Sequence, residues 1–244
     1  MLARSILPTW TLFALTVFAS VGCGGAKHRP AYHEPKAGPS KRSDKSDVSV
    51  SSEVGGLNEE ATAKVFQKAE PGFERCFKNR AKQVELLQGT VQFFVVIGLD
   101  QKAKSVTIEN SDLGDRDAEK CMQQVLFKMT WPKPVGGRTA HAHYTAASFE
   151  MLDPDVREAV TVDPGHVARI QKQLKKQTKE QCQVGSPSPY QITAYVGTDG
   201  KVITASVTSS DPNAELSIDC LVDLVKNVEF PSPGSYAGKV TFSL

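Results

Sequence analysis

Apolar residues alternate along Val91, Phe93, Val95 and Ile97, and alternate again along Tyr190, Ile192, Ala194 and Val196. A period of two predicts a strand with one buried face in each stretch. Val106 and Ile108, then Ala205 and Val207, continue each stretch as a second strand, and the polar breaks at Asp100–Lys102 and Asp199-Gly200-Lys201 read as hairpin turns. The period then lengthens. Ala118, Cys121, Met122, Val125, Leu126 and Met129 recur at helical spacing, as do Cys220, Leu221, Leu224, Val225 and Val228, which predicts two amphipathic helices, each with a cysteine on its buried face. Pro132 and Pro231 end these helices, and a last strand is expected at about 141–150 and 239–244. A further helix precedes each set. The first starts near Asn58 and gathers Val65, Ala69, Phe73, Cys76 and Phe77 on one face, with Pro71 expected to kink or divide it. The second opens at Asp163-Pro164, a cap followed by proline at the first helical position, and carries Val167, Ile170 and Leu174 towards Cys182.

The two sets are an internal repeat. Residues 97–134 lie over 196–233 without a gap, at a constant offset of 99. Gly98, Asp100 and Lys102 match Gly197, Asp199 and Lys201; Ser111-Asp112 matches Ser210-Asp211; Cys121 matches Cys220; Trp131-Pro132 matches Phe230-Pro231. The front helices align at an offset of 106, because the second copy lacks seven residues before its first strand. The expected fold class is α+β: two tandem, two-layer domains, each helix-strand-strand-helix-strand, with a three-stranded antiparallel sheet and both helices on one face. The expected boundaries are 57–151 and 162–244, joined by a linker at 152–161.

The N-terminus has a different pattern. A basic start at Arg4 leads into an apolar run of 16 residues, Ile6 to Val21, and then Gly22-Cys23, the layout of a signal peptide. The run contains Pro8 and is shorter than the roughly 20 apolar residues of a spanning helix. Ser20-Val21-Gly22-Cys23 resembles the bacterial lipobox, with serine where leucine is usual, and implies lipidation of Cys23 as the mature N-terminus. Gly24 in place of aspartate after the cysteine implies, by the same resemblance, the outer membrane rather than the inner. Residues 24–56 are rich in Gly, Pro, Ser, Lys and Asp and poor in large apolar residues, so a flexible tether is expected there. Hydrophobic content of 40% permits packed cores, and the net charge of +2 gives no reason to expect nucleic acid as a partner.

The folded part resembles the TonB C-terminal-like fold, in particular the AgmX/PglI C-terminal domain family. Arg75-Cys76-Phe77, Gly89-Thr90-Val91, Ile97-Gly98-Leu99-Asp100, Ser111-Asp112-Leu113-Gly114-Asp115 leading to Cys121, and Trp131-Pro132-Lys133-Pro134 carry the resemblance in the first copy. The second copy keeps the turn, Cys220 and Phe230-Pro231, and departs at Gln181-Cys182-Gln183. The resemblance implies a fold and leaves function open.

The chain has five cysteines, and in an exported protein the four beyond Cys23 should pair. Four cysteines allow three connectivities, and the repeat selects Cys76 with Cys121 and Cys182 with Cys220. Closing loops of that size stabilises by about 4 kcal/mol in the chain-entropy model. No phosphate loop, nucleophile elbow, zincin or kinase pattern is present, so no catalytic residue and no cofactor is expected. His141 and His143 share one strand face but have no evident third ligand, so no metal is expected. The chain therefore reads as a lipid-anchored, non-enzymatic binding or scaffolding module of the cell envelope, serving a motility, transport or secretion assembly. The alternatives are an enzyme whose site assembles only on folding and a TonB-like accessory in energy transduction. No small-molecule substrate is evident. The expected partner is an envelope protein that adds a strand to the open edge at His141, His143 and Tyr144.

Overall fold

Both copies change from strand to helix where the sequence period changes. The computed structural model describes residues 47–51, 55–136, 139–145, 149–182 and 189–244. The run expected to be a signal peptide, Cys23 and most of the expected tether lie outside them. In the first copy, α1 (Glu59–Ala81) is followed by β2 (Val91–Ile97), β3 (Ala103–Ser111), α2 (Arg116–Phe127) and β4 (Ala140–Thr145), with β1 (Asp47–Ser51) ahead of them all. In the second, β5 (Val160–Thr161) and a short 3-10 turn (Pro164–Val167) lead into α3 (Ala168–Gln181), β6 (Tyr190–Val196), β7 (Val202–Ser209), α4 (Glu215–Lys226) and β8 (Gly238–Ser243). The fold class is the α+β class expected.

Capping chemistry sets the helix starts. Asn58 accepts a hydrogen bond from the Ala61 amide at 2.7 Å, and Asp115 accepts one from the Ala118 amide at 2.8 Å. Asp163 caps the 3-10 turn through the Gly165 amide, with Pro164 at its first position. Pro71 does not divide α1, which runs through it as one helix.

Each copy builds an antiparallel three-stranded sheet with the first of its three strands in the middle. Phe93 pairs with Ile108 and Tyr144, and Ile192 pairs with Val207 and Phe242. The turns agree in detail: the Gly98 and Gly197 amides donate to Lys102 and Lys201, and the Trp131 and Phe230 amides donate to Gln101 and Gly200. That turn needs a left-handed residue. The second copy meets it with Gly200 (φ 80°), while the first holds Gln101 there at φ 60°.

Five expectations need correction. Each sheet has a fourth strand, giving the orders β1-β4-β2-β3 and β5-β8-β6-β7. β1 comes from the supposed tether and pairs antiparallel along β4, from Asp47 opposite Thr145 to Ser51 opposite His141. β5 comes from the supposed linker and pairs parallel with β8. The strand expected at 141–150 ends at Thr145, although Phe149 bridges to Gly89. Cys121 and Cys220 are not on the buried faces of α2 and α4: Cys121 is exposed and Cys220 half-buried, because both lie on the flank turned to the neighbouring helix, while Cys76 of α1 is buried as expected. There they form the expected disulfides, Cys76–Cys121 and Cys182–Cys220, each with Cα atoms 5.7 Å apart.

The first core is aromatic. Phe66 stacks on Tyr144 and meets Trp131 edge-on, Phe73 stacks on Phe93, and Phe77 stacks on Phe149. The second is mainly aliphatic, around Ile192, Val207, Leu221 and Val225. Tyr195, on the sheet face turned away from that second core, is buried in the first.

Candidate functional site

The two copies meet through equivalent elements. β3 lies against β7, and two ion pairs join residues 99 positions apart, the repeat offset itself: Arg116 Nη2 to Glu215 at 2.7 Å and Lys120 Nζ to Asp219 at 2.7 Å. These two pairs are two-fold in character, whereas the other bonds between the copies, from Thr204 to Asp115, Thr193 to Ser111 and Tyr195 to Gln88, join non-equivalent positions. Opposite charges at equivalent positions make the pairing of unlike halves favourable. Arg116 is nearly buried and also donates to Asp219 at 2.9 Å and Gln123 at 3.3 Å.

The interface centres on the start of α2. Asp115, fully buried, caps α2 while accepting from Arg80 of α1 at 2.8 Å and from the Thr204 hydroxyl of β7 at 2.8 Å. Burial pushes its carboxyl up, but these bonds outweigh burial and hold it below the ordinary aspartate value. Gly114, at φ 73°, lets the backbone approach Thr193 and Tyr195 closely: a Cβ there would lie 2.9 Å from Thr193 Cγ2. The Tyr195 hydroxyl donates to the Gln88 carbonyl at 3.0 Å, and Lys239 donates to the same carbonyl at 2.9 Å. Burial raises the Tyr195 phenol, so it stays a neutral donor.

Glu119 is the exception. It is fully buried on α2, and neither carboxylate oxygen has a hydrogen-bond partner. The hydroxyls of Ser111 and Ser206 face it beyond hydrogen-bonding geometry and pull its carboxyl down only in part. Burial dominates and pushes the carboxyl from 4.5 up to about 7.

The residues singled out in the sequence separate across the first sheet. Tyr144 is buried on the helix side, stacked on Phe66 with its hydroxyl donating to Glu70 at 2.9 Å, so it does not face a partner, contrary to expectation. His141 and His143 lie on the outer face, as the period of two requires, on either side of Phe94 at ring distances of 5.0 and 4.9 Å. His143 Nδ1 lies 3.0 Å from Glu109 Oε2, a neighbour that sequence spacing did not reveal. The open edge expected at β4 is closed by β1. Among the described residues, no group of three or more His, Cys, Asp or Glu could hold a metal ion, and no helix is long and apolar enough to cross a membrane.

The outer faces of the two sheets differ. In the second copy, Thr193, Tyr195, Thr204, Ser206 and Thr208 are buried by the first copy. In the first, Phe94 and Val96, at the positions of Thr193 and Tyr195, stay half-exposed beside the histidines. Among the described residues, the outer face of the first sheet is therefore half-exposed around Phe94, and that of the second is buried. Comparisons with protein-family models, with curated proteins and with solved structures give no match to this chain.

Proposed function

We propose that this chain is a non-enzymatic, lipid-anchored module of the cell envelope that binds a protein partner through the sheet of its first copy. One observation supports this most: the β4 edge holds an extended segment, Asp47-Val48-Ser49-Val50-Ser51, drawn from the stretch between anchor and fold. An edge that takes an extended strand from its own chain has the backbone geometry to take one from a partner, main-chain bonds giving affinity and alternate side chains giving specificity. In this reading β1 is a resident occupant that a partner strand replaces. The half-exposed face of Phe94, His141 and His143 lies beside that strand and adds side-chain contacts. Tethering through Cys23 keeps the module at the membrane, and the second copy holds the first in shape.

The test compares the intact chain with one lacking residues 47–51. A synthetic peptide of residues 45–53 should bind the deleted protein and fail to bind the intact one. The deletion should also increase capture of a partner from envelope extract. A folded deletion variant that takes neither the peptide nor more partner rules the edge out.

A further inference from the structure

In the second copy Ile218 fills the position that Glu119 fills in the first, and both side chains are fully buried. A hydrocarbon suits such a site; an ionised carboxylate without a partner does not. Glu119 lies where β7 covers α2. Across the contact the Ser206 hydroxyl is also without a partner, as is Thr208 further along the same strand.

The charges around the site are already committed. On its own helix, Asp115 opposes ionisation of Glu119, and Arg116 favours it. The Arg116 guanidinium, however, is held by Glu215, Asp219 and Gln123. From α4, Glu215 and Asp219 add negative charge, and Lys120 is bound to Asp219. From α1, Arg80 is bound to Asp115. The end of β3 brings the Ser111 hydroxyl, and β7 brings the hydroxyls of Thr204, already donated to Asp115, and Ser206.

We propose that Glu119 is a proton-operated latch between the two copies. With the carboxyl neutral, β7 stays closed over α2. When the proton leaves to solvent, β7 lifts from α2 and the carboxylate reaches water. The direction follows from linkage. The closed form raises the carboxyl to about 7, and opening returns it to its ordinary 4.5. Between those values the closed form holds more protons, so closure weakens as pH rises through that window and levels off above it. From about pH 5.5 to about pH 8.5 the ratio of closed to open falls roughly thirtyfold by the same relation.

Hydrogen–deuterium exchange of the full chain in detergent micelles, corrected for intrinsic rates, reads this directly. Between the two pH values, peptides over β7 and over residues 111–123 should lose roughly thirtyfold in protection, while those over β2 keep theirs. Glu119→Gln, which keeps the shape without the charge, and Glu119→Ile, the second copy's own residue, should hold constant protection at both pH values. Glu119→Gln alone decides the matter if the isoleucine variant misfolds. Unchanged protection in the wild type, an equal loss in Glu119→Gln, or a parallel loss across β2 overturns the latch.

Discussion

Reversing Arg116 tests the two-fold character of the two ion pairs between the copies. Arg116 and Glu215 occupy one position of the repeat, and Lys120 and Asp219 another, so each pair joins a residue to its own counterpart. Removing one partner of a buried ion pair costs about 3–5 kcal/mol. Here Glu215 and Asp219 keep 32% and 54% of their side-chain surface in solvent, so part of that cost is screened. R116A should therefore lose about 2–3 kcal/mol. R116E places a third carboxylate beside those two, and the added repulsion should bring the loss to about 4 kcal/mol. The fourfold exchange R116E, K120D, E215R, D219K restores both pairs with reversed polarity, giving up the Arg116–Gln123 bond, and should recover all but about 1 kcal/mol. Calorimetric unfolding is the assay. Two domains coupled by this contact should melt together in the wild type and in the exchange variant, and separately in R116E. An exchange variant no more stable than R116E would refute the pairing of equivalent positions.

Two further predictions concern the interface backbone and the anchor. Gly114→Ala combines a left-handed backbone with a Cβ 2.9 Å from Thr193 and 3.0 Å from Tyr195, and should cost about 2–4 kcal/mol in denaturant unfolding. Cys23→Ser should release the chain from membranes, and globomycin should make the unprocessed form accumulate; a mature N-terminus without acyl chains in intact mass would remove the lipoprotein reading.

What the sequence revealed depends on range. The hairpins and both disulfides follow from local periods and from an offset shared by two stretches, and stand in the structure, whereas Asp163-Pro164 opens a 3-10 turn and α3 itself begins at Ala168 with no side-chain cap. β1 was hidden because Asp47-Val-Ser-Val-Ser is short and lies in a polar segment, and its pairing with β4 is about 100 residues away in the chain. The cysteines misled for a different reason. Helical spacing puts Cys121 beside Met122, but the disulfide needs the flank facing Cys76, not the face on the sheet. The interface left one legible sign. Arg116, Glu119 and Gln123, three polar residues on one stripe of α2, are aligned with Glu215, Ile218 and Val222 of α4. Polar residues on a helix stripe are ordinarily read as solvated; here they are buried, because the stripe faces a second domain rather than water.

Duplication explains why the two copies can differ so much on one frame. The two ion pairs join equivalent positions, while Asp115, Ser111 and Gln88 bond non-equivalent residues of the second copy, so the interface uses different surfaces of the two halves. Arg116 against Glu215 turns a potential like-charge clash into attraction. Tyr195 against Val96 extends one sheet face into the neighbouring core and leaves the other half-open. The second copy's outer face, rich in threonine and serine, is bonded to the first copy through Thr193 and Thr204. The first copy's outer face carries Phe94 between two histidines, and its edge carries the strand at 47–51. Burial and bonding make one half a support. Half-exposed aromatic and imidazole groups beside an occupied edge make the other half the side on which the proposed partner strand would compete.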